Sequence, residues 1–286
     1  MATEPSRLLI TGAGGLLGRA LARQRPEAPA LARQDLDLAD LAATRRVLRD
    51  VRPTVVANAA GFTDVERCEQ EPDLAYRGNC LAPQNRALAC AEVGAALVHV
   101  STNCVFDGAA RQPYREHDPS RPISVYGRSK LAGEEVVRAA VPQHYIVRTS
   151  WLFGHGPRNF VRTVLRLADE HGELAMVVDE VACPTYAEDL AAALLALAAS
   201  GRYGTYHLTN AGACSRYDLA REVLALSGRQ HVPLRPITLA DYRRRAAPPP
   251  YSALDNFLAA RALGITLRPW QEAVRDYLAA LGELVG

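Results

Sequence analysis

The chain has 286 residues, which fits one large domain or two small ones. Its formal net charge of +2 gives no support to a nucleic-acid-binding protein, which would carry a clear basic excess. Hydrophobic residues make up 49% and charged residues 22%, and this composition excludes disorder as the main state. The most apolar stretch, residues 190–199, falls short of the roughly 20 residues needed to cross a bilayer.

The amino terminus and the cysteines predict a protein of the cytoplasm. Residues 1–9 carry no apolar signal core, so we expect neither secretion nor a membrane partner. The six cysteines include no CxxC pair, and the seven histidines include no HExxH motif. We therefore expect reduced thiols in or near the core and no metal site.

Strand and helix patterns alternate through the first half of the chain. Apolar runs predict strands at residues 8–11, 28–32, 54–58, 95–101 and 145–149. Helical patterns lie between them at residues 16–24, 40–51, 72–93 and 127–140. This alternation predicts an α/β fold of the Rossmann type, a doubly wound parallel sheet with helices on both sides.

After Trp151 the alternation loosens. We predict further helices at 159–170, 186–199, 255–263 and 269–281, and strands at 175–178 and 205–208. Another helix begins at Ser215, where Asp218 is placed for a capping box. Residues 241–251 contain three consecutive prolines and predict a loop. We expect a nucleotide-binding domain of residues 1–150, to which 175–203 return. Residues 151–174 and 204–286 would form a smaller, mostly helical substrate lobe.

A glycine-rich turn follows the first predicted strand and precedes the first helix. Gly12 allows the tight turn, Gly15 lets the backbone approach a pyrophosphate, and Gly18 permits close packing of the helix on the strand. The helix N-terminus then faces the phosphates. In this context the spacing predicts a dinucleotide site, and the alternative is a glycine-rich turn without a ligand.

The residues after the second strand bear on which dinucleotide binds. NAD-preferring sites place an acid about 20 residues beyond the glycine motif, where it binds the ribose 2′-hydroxyl. Here that position is close to Ala32, and Arg33 follows. A guanidinium pairs with a 2′-phosphate, so we predict NADPH. Asp35 and Asp37 lie near this position and keep NADH as the alternative coenzyme. The alternative role for Arg33 is an exposed surface charge that binds no coenzyme.

The single lysine of the chain lies in a motif with chemical meaning. Of the 33 basic residues only Lys130 is a lysine, and Tyr126 precedes it by one helical turn. The ammonium is expected to lower the pKa of the phenol below its usual ~10, so that Tyr126 exchanges a proton with a developing alkoxide. Ser101 or Thr102, at the end of the fourth strand, would bind the carbonyl oxygen. The alternative is an ordinary surface lysine beside a half-buried tyrosine.

Together these features resemble the extended short-chain dehydrogenases/reductases. More narrowly, the chain is similar to the dTDP-4-dehydrorhamnose reductase family over about residues 7–282. The motifs that carry this resemblance are Asn58-Ala59-Ala60, Thr63-Asp64-Val65-Glu66, Ser101 to Gly108, Tyr126 to Glu134, Arg148-Thr149-Ser150-Trp151, Cys183-Pro184-Thr185 and Tyr206-His207-Leu208.

The resemblance implies NADPH-dependent reduction of the 4-keto group of a nucleotide-linked deoxysugar, as in the biosynthesis of dTDP-L-rhamnose or a related sugar. Tyr126 would be the general acid, Lys130 would lower its pKa and hold the nicotinamide ribose, and Thr102 would orient the ketone. The other cofactor-binding residues would be Gly12, Gly15, Leu16, Leu17, Gly18, Arg33, Asp37, Leu38, Ala59, Ala60 and Asn79. The substrate would meet Thr63, Val65, Asn103, Cys104 and Trp151. The expected assembly is a homodimer. For Trp151, the alternative to substrate binding is the role of an aromatic residue in the core.

The sequence departs from the family pattern at three places. Ala20 stands where some members carry a glutamate linked to a divalent ion at a dimer contact, which supports the expected absence of a metal. Asn103-Cys104 stands where the family usually has Asp-Tyr, which leaves the exact sugar open. Ala247-Pro248-Pro249 replaces the family's Arg-Arg-Pro. Arg243 to Arg245 would then serve either the diphosphate or as a solvated charge run.

Three other functions are compatible with the fold. A sugar-nucleotide dehydratase is disfavoured because Asn103 cannot transfer protons at neutral pH and Cys104 is a poor acid. A nucleotide-sugar 4-epimerase uses the same tyrosine–lysine pair with tightly held NAD. The third is a non-catalytic NADP-binding subunit of this family, like the regulatory subunit of methionine adenosyltransferase.

Overall fold

The computed structural model describes residues 7–242 and 244–285. The cytoplasmic location was predicted from residues 1–9, and most of that segment lies outside the described residues. The strands, numbered along the chain, are β1 Leu8–Thr11, β2 Ala30–Leu31, β3 Val55–Asn58, β4 Ala96–Thr102, β5 His144–Thr149, β6 Leu152–Phe153, β7 Leu174–Val177, β8 Val181–Ala182, β9 Thr185–Tyr186, β10 Gly204–His207, β11 Cys214–Ser215 and β12 Leu234–Ile237. The α-helices are α1 Leu16–Gln24, α2 Leu41–Val51, α3 Val65–Gln70, α4 Pro72–Tyr76, α5 Ala82–Val93, α6 Val125–Ala140, α7 Phe160–His171, α8 Ala187–Ala199, α9 Arg216–Leu226, α10 Phe257–Leu263 and α11 Trp270–Leu281.

A parallel sheet of six strands, in the order β10-β5-β4-β3-β1-β2, forms the centre of the molecule. Its strands β1, β3 and β4 are buried along nearly their whole length because helices cover both faces of the sheet. Leu17 of α1 and Leu190 of α8 pack on one face. Leu48 of α2 and Val137 of α6 pack on the other. The predicted Rossmann-type doubly wound sheet is confirmed.

The substrate lobe has a separate apolar core. Val164 of α7, Val223 of α9 and Val274 of α11 are buried together with Leu174 of β7. Around this core lie small sheets of two strands, which pair β7 with β12, β8 with β11 and β6 with β9. Ser215 and Asp218 form the predicted reciprocal capping box at the start of α9. Within the described ranges, none of the helices is long and apolar enough to cross a membrane.

The chain passes between the two cores at positions that differ from the predicted bounds. Strand β10 belongs to the central sheet, although residues 204–286 were all predicted in the lobe. Strand β7 pairs with β12 in the lobe, although residues 175–203 were predicted to return to the sheet. Only α8 makes that return, because its apolar face covers α1. A short strand's partner depends on residues far away in the chain, so its sheet cannot be read from its own pattern.

The predicted helix 72–93 is interrupted. A π-helical turn, Arg77–Leu81, separates α4 from α5. Pro83 has no N–H to offer the carbonyl of Asn79, so the ordinary hydrogen-bond ladder cannot continue there. A further helix, α3, was not predicted, and the Asp64 side chain caps it by accepting a hydrogen bond from Arg67 N. These local features place Arg77 and Val65 at the carboxyl edge of the central sheet.

Candidate active site

The predicted site residues converge at the carboxyl edge of the central sheet, where ligands bind in open parallel sheets. A cavity of about 850 Å³ opens there. Among its lining residues are Gly15, Leu16, Leu17, Ala59, Ala60, Thr63, Val65, Thr102, Asn103, Cys104, Tyr126, Lys130 and Trp151. The loops after β1, β3, β4 and β5 therefore contribute to one space. The structure brings together most of the residues that the sequence singled out separately.

The glycine-rich turn has the geometry expected of it. Gly12 has φ +82, and a Cβ added there would lie 2.5 Å from the backbone nitrogen of Ala60. A Cβ at Gly18 would lie 2.1 Å from the carbonyl oxygen of Gly12, so only glycine lets α1 pack this closely. Gly15 is the N-cap of α1 and supplies no side-chain acceptor. The first-turn N–H groups of α1 therefore suit an anion such as a pyrophosphate.

A second cavity of about 550 Å³ continues from this turn along the end of β2. Arg33, Asp37, Leu38 and Arg77 line it. Asp37 accepts hydrogen bonds from Ala39 N at 3.0 Å and from Arg77 Nη2 at 2.8 Å. The bond from Ala39 and then the charge of Arg77 hold the pKa of Asp37 below its usual value. Asp37 is thus already engaged by cationic and N–H groups.

The catalytic candidates lie at the start of α6. Ser124 caps this helix by accepting a hydrogen bond from Gly127 N at 3.1 Å. A Cβ at Gly127 would lie 2.2 Å from the carbonyl oxygen of Cys104, so the glycine lets α6 approach the end of β4. Lys130 donates a hydrogen bond from Nζ to the carbonyl oxygen of Val100 at 2.6 Å. The helix start and the strand end are therefore held against each other at the cavity.

The pKa expected for the tyrosine is wrong. Burial raises the pKa of Tyr126 above its usual range, the nearby Cys104 thiol raises it further, and a hydrogen bond with the Thr102 hydroxyl lowers it only in part. Burial also lowers the pKa of Lys130 to about 8. Both shifts have the same cause, because removing a group from water disfavours its charged form. Tyr126 is thus protonated at neutral pH, and burial makes its phenol a weaker acid than it would be in water.

Ser101 and Thr102, the two hydroxyl residues at the end of β4, make different contacts. Ser101 donates a hydrogen bond to Glu134 Oε1 at 2.5 Å, and Arg148 binds the same buried carboxylate through Nε and Nη2 at 2.9 and 2.8 Å. Ser101 and Thr102 both line the cavity, and Thr102 contacts Tyr126. The Ser101 hydroxyl is therefore engaged by a buried carboxylate, whereas the Thr102 hydroxyl lies beside that of Tyr126.

Asn79 does not take the place predicted for it. Its amide lies behind the cavity wall, where Oδ1 accepts from Phe62 N at 2.8 Å and Nδ2 donates to Ser129 Oγ at 3.1 Å. Asn79 therefore joins the π-helical turn to α6 and to the loop after β3. Its contacts support the shape of the site without lining either cavity described above.

Asn103 and Cys104, which depart from the family pattern, also line the cavity. Asn103 donates a hydrogen bond from Nδ2 to Ser252 Oγ at 2.7 Å, which ties the end of β4 to the lobe. Burial raises the pKa of Cys104 to about 11, so its thiol stays protonated at neutral pH. Trp151 has a positive φ of 44, a conformation that is uncommon for a residue other than glycine. A fixed backbone therefore presents its ring to the cavity.

Several lining residues were not predicted, among them Glu180 and Arg216. Glu180 and Arg216 meet because β8 pairs antiparallel with β11, which sets Val181 opposite Ser215. No local motif marks this contact, since the strands have two residues each. Of the predicted arginine run, Arg244 lines the cavity, Arg245 N donates to Glu66 Oε2 at 3.1 Å, and Arg243 lies outside the described residues.

Cysteines and candidate metal ligands give no further site. All six cysteines are free thiols. In the part of the chain that the structure describes, no group of three or more His, Cys, Asp or Glu side chains is arranged to hold a metal ion.

Comparison with known proteins gives full-length matches. A family model described as the RmlD substrate binding domain matches residues 6–283. The dTDP-4-dehydrorhamnose reductase of Mycobacterium tuberculosis strain H37Rv is 43% identical over 290 residues, which cover 98% of this chain and 95% of that protein. The spore coat polysaccharide biosynthesis protein SpsK of Bacillus subtilis strain 168 is 41% identical over 277 residues, with coverage of 96% and 97%.

A solved structure extends the similarity to the fold. The crystal structure of dTDP-4-dehydrorhamnose reductase from Bacillus anthracis strain Ames, in complex with NADP, superposes with a TM-score of 0.93. The two chains are 34% identical, and the match covers 97% of this chain and all of the other.

Proposed function

Since the chain belongs to the family of dTDP-4-dehydrorhamnose reductases, we propose that it reduces the 4-keto group of a dTDP-linked 6-deoxyhexose, with NADPH as the hydride donor. The observation that carries this proposal is the cavity in which Thr102, Tyr126 and Lys130 lie beside the glycine-rich turn. A hydride acceptor bound there would have a proton donor and a hydrogen-bonding hydroxyl at its oxygen.

The residues present fit a dinucleotide. Gly12, Gly15 and the first turn of α1 would hold the pyrophosphate, and Lys130 would hold the nicotinamide ribose. When bound, the dinucleotide supplies the hydride. Arg33 and Arg77 line the second cavity, where Asp37 is already paired with Arg77. These charges support NADPH over NADH, because a 2′-phosphate would find cationic partners and a 2′-hydroxyl would compete with Arg77 for the carboxylate.

The chain's own residues account for the proton. Tyr126, which is protonated at neutral pH, would donate its hydroxyl proton to the oxygen of the carbonyl as that group is reduced. Thr102 would donate a hydrogen bond to the same oxygen and hold the carbonyl in place. The Lys130 ammonium would stabilise the phenolate that remains after the transfer, since an opposite charge nearby favours the ionised form.

The direct test mixes the protein, NADPH and dTDP-4-keto-6-deoxyhexoses and follows the absorbance of NADPH. We expect NADPH to be consumed in proportion to the sugar reduced. Tight NADPH binding without turnover would contradict the proposal and favour a regulatory subunit. The epimerase alternative needs a dTDP-hexose that carries a 4-hydroxyl, because a 4-keto sugar has no configuration at C4. Inversion of that hydroxyl without net change in the coenzyme would favour a 4-epimerase.

Product analysis by NMR would also define the sugar, whose hydroxyls would contact Asn103 and Cys104, since both line the cavity. The homodimer and the cytoplasmic location stay predictions.

A further inference from the structure

The cavity wall formed by the lobe carries two arginines that share one carboxylate. Glu180 is buried, and its Oε1 accepts hydrogen bonds from Arg216 Nε and Nη2 at 3.3 and 3.1 Å. Its Oε2 accepts one from Arg244 Nη1 at 3.4 Å. All three side chains line the cavity that contains Tyr126. We call Glu180, Arg216 and Arg244 the arginine triad.

The charges of the triad do not balance. Two guanidiniums face one carboxylate, and among the described residues three of their six nitrogens donate to Glu180. Two further carboxylates of the cavity are engaged elsewhere, since Asp64 caps α3 and Glu66 accepts from Arg245 N. The triad therefore has donors and positive charge available for an anion. A partly buried cation without a full counter-charge gains from such a ligand.

Arg216 is held in position before any ligand binds. Its guanidinium carbon lies 3.6 Å from the centroid of the Trp151 ring and 5.0 Å from that of Phe160. Its side chain is only 18% exposed, and Glu180 fixes its other edge. A guanidinium stacked on an aromatic face and paired at one edge has lost most of its freedom, so little further ordering is needed on binding.

We propose that the arginine triad binds the diphosphate of the nucleotide-sugar substrate, with Arg216 as the main donor. Glu180 is the counter-ion that keeps both arginines in place until the diphosphate shares them. The inference rests on the proposed function, since it names the part of that substrate the triad recognises. Diphosphate oxygens accept the charge-assisted, paired hydrogen bonds that a guanidinium offers. The sugar then extends past Trp151 towards Tyr126.

The test measures the affinity of dTDP and of thymidine by calorimetry, with no keto-sugar present. Arg216→Gln should weaken dTDP binding by about 10-fold or more, because a hydrogen-bonded charge pair is lost. Thymidine and NADPH should bind as in the wild type. Glu180→Gln should strengthen dTDP binding, since a carboxylate that repels the phosphates is removed. Arg221→Gln is the matched control, because Arg221 lies on the same helix with a side chain 68% exposed.

Three results would overturn the inference. They are unchanged dTDP affinity in Arg216→Gln, an equal loss for thymidine, and no dTDP binding by the wild type. If Arg216→Gln does not fold, Arg216→Lys replaces it; that variant keeps the charge but not the planar fork, and should give an intermediate loss. Failure of the proposed function looks different: dTDP would bind in an Arg216-dependent way while no keto-sugar is reduced.

Discussion

The central sheet and the substrate lobe are specified by the sequence in different ways. In the sheet, β4 is seven residues long and almost wholly buried, so its apolar run marks it without reference to other segments. In the lobe, β8 and β11 have two residues each, and their pairing joins residues 32 and 34 positions apart, as Cys214↔Ala182 and Ser215↔Val181. The comparison teaches that local motifs specify the glycine turn and the Tyr126–Lys130 pair, whereas the contacts of the lobe depend on long-range pairing.

The largest expected effect tests whether Tyr126, at the carboxyl edge of the sheet, donates the proton in the reduction. Tyr126→Phe should lower kcat by roughly 10²-fold or more, since a positioned proton donor contributes about that factor. NADPH affinity should stay unchanged. Steady-state kinetics and a binding titration measure the two quantities.

The control for this variant is Tyr206→Phe, which removes another largely buried hydroxyl, one that donates to the carbonyl oxygen of Arg202 at 2.7 Å. Wild-type turnover in Tyr126→Phe would remove this tyrosine from the mechanism. Loss of turnover in both variants would point to a general effect on the fold.

The next effect compares a buried ion pair of the sheet with a partly exposed pair that joins α8 to the segment before α11. Glu134→Gln should lower the free energy of unfolding by about 3 kcal/mol, because it leaves Arg148 buried without its carboxylate. Asp189→Asn should cost about 1 kcal/mol, since Arg268 is 31% exposed and keeps Asp276 as a partner. Urea denaturation of both variants measures the difference. Equal losses would show that burial does not determine how much each ion pair contributes to the free energy of unfolding.

Local motifs explain how much of the site could be predicted. The glycine turn and the Tyr126–Lys130 spacing were readable because each lies within one turn or helix, and the family and the Rossmann sheet they indicated are confirmed. The Glu180–Arg216 contact and the Asp37–Arg77 pair could not be read, since each joins distant segments. The tyrosine's pKa was misjudged because spacing reveals a neighbouring charge but not the loss of water around both groups.

A third prediction concerns pH and follows from burial at the sheet edge. The pKa of Lys130 is lowered to about 8, so its ammonium is lost as the pH rises through that value. The reduction needs the charged lysine and the protonated Tyr126. We therefore expect kcat/KM to be level below about pH 8 and to fall above it.

A pH series of initial rates checks this expectation, with Lys130→Arg as the comparison. Arginine keeps its charge throughout, so the alkaline fall near pH 8 should disappear from whatever activity that variant retains. A fall at the same pH in Lys130→Arg would assign the titration to another group.

The smallest effects compare helix caps in the two regions. Ser215→Ala should lower the free energy of unfolding by about 1 kcal/mol, because it removes one half of the capping box with Asp218. Ser124→Ala should cost less stability, since Ser124 makes a single capping bond, to Gly127 N. Thermal unfolding separates the two. A larger loss for Ser124→Ala would mean that the start of α6 contributes more to stability than its capping bond indicates.

The late return of the chain to the sheet has a consequence for synthesis on the ribosome. Strand β10, at residues 204–207, is an edge of the sheet, and α8 covers α1 only once residues 187–199 are available. Until that point the emerging polypeptide exposes the apolar face of α1. The nucleotide-binding part therefore cannot finish folding as an independent nascent domain, and a fragment ending near residue 150 should be recovered as aggregate.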